Sequence, residues 1–247
     1  MATNFQGKVA FVTGGSRGIG AAVVQRLADD GAAVAFTYHG SKEAAEVLAA
    51  RIQAAGGRAI ALQADVANPE SLTRAVNDAA RQLGKIDILV NNAGVFSMGN
   101  IADLALDEFD RMLNINVRAV FVAAKAALAH MGDGGRIINI GSCNAERIPF
   151  PGFATYAMSK SALVGLVKGM ARDLGPRGIT VNNVQPGPTN TDMNPAAGEH
   201  AGSMHDVMAI KRHAHPAEIA AMVAYVASED AGFVTGASLT IDGGFNA

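Results

Sequence analysis

Val9-Ala10-Phe11-Val12-Thr13-Gly14-Gly15-Ser16-Arg17-Gly18-Ile19-Gly20 decides the fold. Five apolar or β-branched residues of strand length run into a glycine-rich turn, and helical spacing begins at Ile19. A strand, a glycine turn and a helix in that order is the opening of a βαβ unit.

The same alternation continues outward along the chain. Val9–Thr13, Ala33–Thr37, Arg58–Gln63, Ile86–Asn91, Arg136–Gly141, Ile179–Gln185 and Ser238–Ile241 read as strands. Between them, Ile19–Asp30, Lys42–Ala55, Pro69–Leu83, Leu106–Met131, Thr155–Leu174 and Pro216–Ala227 read as helices. Strands apolar on both faces, alternating with helices, predict an α/β fold: a Rossmann-type doubly wound parallel sheet with helices on both faces. No linker or repeat divides residues 1–247, so one dinucleotide-binding domain is expected. The longest irregular piece, Pro186–Ser203, reads as the start of a substrate loop or lid over residues 186–212.

Composition narrows the function. With 20 Lys and Arg against 22 Asp and Glu, the charge of -2 offers no basic footprint for nucleic acid. Cys143 stands alone, which excludes an intramolecular disulfide and a cysteine-cluster metal site. The start, Met1 to Val9, has no signal pattern, and no apolar run approaches the ~18 residues of a membrane span. A soluble cytoplasmic protein with no metal is expected.

The glycine turn has its own chemistry. Gly14, Gly18 and Gly20, with Ser16, Arg17 and Ile19, let backbone N–H groups approach a pyrophosphate at a helix N-terminus. An NAD ribose calls for a carboxylate roughly 20 residues further on. Here Thr37-Tyr38-His39-Gly40-Ser41-Lys42 holds no acid, whereas Arg17, Ser41 and Lys42 suit a 2′-phosphate. NADP(H) is the expected cofactor. Further along, Tyr156 and Lys160 lie four apart, on one helix face. An ammonium about 4 Å from a phenol favours phenolate by roughly 4 kcal/mol at an effective dielectric near 20, so an acid/base pair is expected. Gly141-Ser142 and Asn91-Asn92-Ala93-Gly94 end strands at the carboxyl edge, and Asn116 is an unusual helix-interior residue.

With Asp65-Val66, Pro186-Gly187 and Asp242-Gly243-Gly244 added, the chain resembles the short-chain dehydrogenase/reductase family over essentially its whole length. It is most similar to the subgroup of 3-oxoacyl carrier-protein reductases and small-ketone reductases. The resemblance implies that Tyr156 is the general acid, that Ser142 hydrogen-bonds the substrate oxygen, and that Lys160 lowers the Tyr156 pKa and holds the nicotinamide ribose. It implies that Asn116 positions a water, that Asp65 and Val66 hold the adenine, and that Asn91, Asn92, Ala93 and Gly94 border the cofactor. Pro186, Gly187, Thr189 and Thr191 then lie by its pyrophosphate or carboxamide end. Family members are commonly tetramers, so a homotetramer is expected.

The expected reaction is NADPH-dependent reduction of a small-molecule ketone or aldehyde. Ile148, Phe150, Phe153, Met193, Met204 and Met208 are candidate cleft residues. A 3-oxoacyl thioester on a carrier protein is the alternative substrate, although Met131-Gly132-Asp133-Gly134-Gly135 replaces the basic residues expected before the fifth strand. From Gln185 onward the chain also resembles a bacterial subgroup linked with biofilm dispersal, which makes a cyclic-dinucleotide-binding protein the rival reading.

Overall fold

Residues 4–247 are described by the computed structural model. Residues 1–3, where the stretch read for a signal pattern begins, lie outside the described residues. The strands are β1 (Val9–Val12), β2 (Ala33–Tyr38), β3 (Ala59–Gln63), β4 (Ile88–Asn91), β5 (Arg136–Ile140), β6 (Thr180–Pro186) and β7 (Ser238–Ile241). They form one sheet in the order β3-β2-β1-β4-β5-β6-β7, and every neighbouring pair is parallel. The order reverses between β1 and β4, which is the switch point where open α/β sheets bind ligands.

The helices that link them are α1 (Gly18–Asp29), α2 (Lys42–Ala54), α3 (Pro69–Leu83), α4 (Leu106–Leu113), α5 (Ala119–Leu128), α6 (Ala154–Leu174), α7 (Ala201–Asp206) and α8 (Pro216–Ala227). Alternate residues along each strand bury on opposite faces. Val12, Val34, Ile138 and Val184 pack with α1, α2 and α8, while Phe11, Leu89, Ile137 and Val181 pack with α3, α5 and α6. A sheet covered on both faces has no polar side, which is why its strands read as unbroken apolar runs.

Two features depart from the sequence reading. The single helix expected over Leu106–Met131 is α4 and α5 joined by one π-helical turn, Asn114–Arg118, and it stops at Leu128. Such turns are recurrent at functional sites, and this one carries the buried Asn116. The irregular stretch after Pro186 contains α7, a short helix whose six residues show too little periodicity to read.

Three asparagines cross the sheet in register: Asn91 pairs with Asn139, and Asn139 with Asn183. All are buried, and the Asn91 amide donates to Asn139 Oδ1 at 2.9 Å. A polar row across a dry sheet ties β4 to β5 beyond their backbone ladder. Asn139→Ala leaves the Asn91 donor unsatisfied, at a cost of about 1–3 kcal/mol. Thermal unfolding should show a midpoint several degrees lower, since each kcal/mol moves a domain of this size by ~2–4 °C. An unchanged midpoint would mean that the row is not structural.

Candidate active site

The glycine turn joins three strand ends. Gly14 has φ 65°, a left-handed conformation, and its N–H donates to Thr37 Oγ1 at 2.9 Å. Thr13 Oγ1 accepts from the backbone N–H groups of Asn92 and Ala93, at 3.0 Å each. The Asn92 amide donates back to the carbonyls of Thr13 and Gly14, so its side chain braces the turn. A Cβ on Gly20 would lie 2.2 Å from the Gly14 carbonyl oxygen, which fixes that residue as glycine.

The first turn of α1 has no side-chain cap and no acidic residue, leaving its N–H groups open to an anion. Arg17 and Lys42 are exposed, with long contacts to Asp192 and Glu46 at 3.7 Å each. Ser41 precedes α2 and its side chain makes no cap hydrogen bond. Tyr38 is buried at the end of β2. Asp65 and Val66 follow β3 at the same edge; Asp65 Oδ1 accepts from Ala67 N, and Val66 packs on the core. Gly187 N donates to Ile241 O, Thr189 Oγ1 donates to Gly187 O, and the Thr191 methyl group lies over Gly18.

Ser142, Tyr156 and Lys160 meet where β5 ends. A Cβ on Gly141 would lie 2.8 Å from the Asn183 amide, so a side chain there would displace that buried amide. Ser142 is buried, and its Oγ accepts from Asn144 N at 3.1 Å. Lys160 is also buried, and its Nζ donates to the Ile140 carbonyl at 2.9 Å. Asn116 bonds both backbone groups of Val95 and donates to Ser159 Oγ, bracing the loop after β4. Asn116 Oδ1 and Lys160 Nζ flank one space: a Cβ on Gly94 would lie 3.4 and 3.5 Å from them.

Burial sets the protonation of the Tyr156 and Lys160 pair. Burial pushes the Tyr156 phenol up to about 12, against a downward pull from the Ser142 hydroxyl beside it. Burial likewise brings the Lys160 ammonium down to about 8. The Tyr156 phenol therefore does not fall below the ordinary value of a free phenol in this structure. Lys160 Nζ is 5.9 Å from the ring centroid and bonded to Ile140 O, so desolvation of the phenol outweighs the ammonium's field. A phenol held in its protonated form at neutral pH can act as a proton donor.

The family profile described as enoyl-(acyl carrier protein) reductase matches residues 14–246. The chain belongs to the short-chain dehydrogenase/reductase family. It is 51% identical over 243 residues to the cyclic-di-GMP-binding biofilm dispersal mediator protein of Escherichia coli K12, covering 98% of this chain and 99% of that protein. A short-chain dehydrogenase/reductase from Serratia marcescens is 63% identical, with TM-score 0.97 over 98% of this chain and 99% of that one. A short-chain dehydrogenase from Burkholderia cenocepacia, solved in complex with NADP, is 55% identical, with TM-score 0.97 over 99% of this chain and 100% of that one. Short-chain dehydrogenases/reductases use a nicotinamide cofactor.

Of the apolar cleft candidates, Phe153 and Met208 are buried, Phe150 and Met204 are half-buried, and Ile148 and Met193 are exposed. Cys143 is buried, and desolvation pushes its thiol up to about 12, so it packs rather than reacts. In the basic run before α8, Arg212 forks onto Glu218, while His213 is buried against His205. Sequence reasoning missed Ser159, Asn144 and Phe96. Phe96 sits edge-on to Tyr156, with centroids 5.0 Å apart, and nothing in its local sequence marks it. Asn144 was legible as an Asn two residues after Ser142, a spacing at which side chains make local turns.

Lys160 and Tyr156 set a pH dependence of stability. Lys160 sits at about 8 in the fold against 10.5 for a free side chain, so between those values the unfolded chain binds more protons. Unfolding free energy should therefore rise with pH across that window. Tyr156, raised from 10.0 to about 12, has the opposite sign and lowers stability between those two values. Lys160→Met should remove the rise when urea unfolding is followed from pH 8 to 10.5. A rise that persists in the variant would assign it to another group.

Proposed function

We propose that this chain is an NADPH-dependent carbonyl reductase acting on a small free ketone or aldehyde, with Tyr156 as its general acid. The observation that carries the reading is the meeting of the Tyr156 phenol, the buried Ser142 hydroxyl and the buried Lys160 ammonium where β5 ends. Reduction of a carbonyl needs a proton for the developing alkoxide. A binding protein needs no such donor.

The residues present fit NADPH. Uncapped N–H groups at α1 suit the pyrophosphate, and Arg17, Ser41 and Lys42, with no carboxylate at the end of β2, suit a 2′-phosphate. Gly94 leaves open the space beside Lys160 Nζ and Asn116 Oδ1 that a ribose and nicotinamide would take. Asp65 and Val66 would flank the adenine, and Thr191 would cover the phosphates. When bound, NADPH supplies the hydride.

The chain's own residues do the rest. Ser142 Oγ donates a hydrogen bond to the carbonyl oxygen, and Tyr156 Oη transfers its proton there as negative charge develops. Lys160, positively charged below about pH 8, stabilises the phenolate left behind. Asn116 keeps the loop after β4 in place behind the nicotinamide side. Residues 186–212, including α7, form a lid over the carbonyl, and the aromatic side chains of Phe96 and Phe153 exclude water beside Tyr156.

The reading includes a cytoplasmic homotetramer; exposed Leu106, Phe121 and Met158 on α4, α5 and α6 support subunit contacts through these helices. The Met131–Gly135 turn before β5, with no Lys or Arg, favours a free carbonyl over a carrier-bound thioester.

A second reading rests on the Escherichia coli relative, whose name describes a cyclic-di-GMP-binding mediator of biofilm dispersal. On that reading the same edge binds a cyclic dinucleotide. A panel of ketones and aldehydes, run with NADPH and NADH and followed at the cofactor's absorbance, separates the two. Turnover with a marked preference for NADPH is expected. No turnover, with tight cyclic-dinucleotide binding, would favour the rival. Tyr156→Phe should lower kcat by about 10²–10⁴ and Ser142→Ala by about 10²–10³, both with NADPH affinity retained. Undiminished turnover in Tyr156→Phe would remove that residue from the chemistry.

A further inference from the structure

The segment after β7, Asp242–Ala247, runs back to the Ser142 turn instead of leaving the sheet. Its Phe245 is buried in a small cluster with Cys143, the residue next to Ser142, and with Met208 of the 186–212 stretch. Asn246 Nδ2 donates to the Cys143 carbonyl at 3.2 Å, and the Arg147 guanidinium donates to the Phe245 carbonyl and lies over its ring. The segment is itself held rigid, because Asp242 accepts from Gly244 N through Oδ1 and from Asn246 N through Oδ2, at 2.9 Å each. On its other side, Ile210 N donates to Gly243 O at 2.8 Å, and a Cβ on Gly244 would lie 2.6 Å from that of Ala209.

We propose that Phe245 and Asn246 are positioning residues that clamp the Ser142–Cys143 turn against the 186–212 stretch and so fix the direction of the Ser142 hydroxyl. The turn is short, and Ser142 Oγ is oriented through Asn144, whose amide donates to Arg147 O at 3.1 Å. Arg147 is the same residue that grips the Phe245 carbonyl. A change at residues 245 and 246 therefore reaches the hydroxyl through one covalent neighbour, Cys143, and through one hydrogen-bonded relay, Arg147 to Asn144. Oxyanion donors lose effect steeply with misplacement; about 1 Å costs on the order of a hundredfold.

The effect on turnover rests on the carbonyl-reductase reading, but the clamp itself does not. Cys143 is the one cysteine of the chain and reports directly on its own turn. The variants are Phe245→Ala, Phe245→Leu, Asn246→Ala and Asn246→Asp, the last replacing the amide donor with an isosteric acceptor. Each is assayed well below its own melting temperature for the rate at which a maleimide labels Cys143, for NADPH affinity, and for kcat and KM on a ketone the wild type reduces.

Phe245→Ala and Asn246→Asp should label at least tenfold faster and lose about tenfold or more in kcat, with NADPH affinity unchanged. Phe245→Leu should restore most of both. Labelling and kcat at wild-type levels in all four variants would overturn the proposal, and so would faster labelling with unchanged kcat. If the wild type reduces no carbonyl, the functional reading fails separately and labelling alone decides: faster labelling upholds the clamp, and an unchanged rate refutes it.

Discussion

Parallel pairing is the constraint on which the rest depends. Seven strands lie side by side in one direction, so every strand but the last must be followed by a crossover that returns the chain to the starting edge. All the turns that leave strand ends therefore gather along one rim. The glycine turn after β1, the Asn92–Gly94 stretch after β4, Ser142 after β5 and Gly187 after β6 share that rim for this reason alone. The cross-sheet row Asn91, Asn139 and Asn183 sits one or a few residues inside it and holds β4 and β5 in step.

What the rim does chemically follows from dryness. Burial moves the phenol of Tyr156 and the ammonium of Lys160 in opposite directions, each towards its neutral form. In the proposed reaction the neutral phenol is the proton donor, while Lys160 near pH 8 stays largely charged at neutrality and faces the open space beside Gly94. The Ile140 carbonyl, which anchors Lys160, lies two residues before Ser142 on the same strand exit. One short piece of β5 thus places both the lysine and the serine.

Much of this was legible in the chain. The run from Val9 to Gly20 carries strand, turn and helix in twelve residues, and α3 and α8 have the boundaries their Pro residues announce. The spacing of Tyr156 and Lys160 put both on α6, but it could not reveal which oxygen the lysine would reach. That depends on a carbonyl 20 residues away in sequence, and the net rise of the phenol depends on burial that spacing does not encode. The π turn around Asn116 was illegible because it covers only five residues between two stretches of ordinary α-helix. Asn246 and Phe245 were missed because their partners Cys143 and Arg147 lie about a hundred residues earlier.

The most direct measurement is isotopic. The chain is incubated with a ketone and NADPH carrying deuterium at the transferable nicotinamide position, and the product is examined by mass spectrometry. The expected product is an alcohol with one deuterium at the former carbonyl carbon and its hydroxyl proton drawn from solvent. An unlabelled product, or no alcohol from any carbonyl offered while NADPH remains bound, would contradict the proposed reaction.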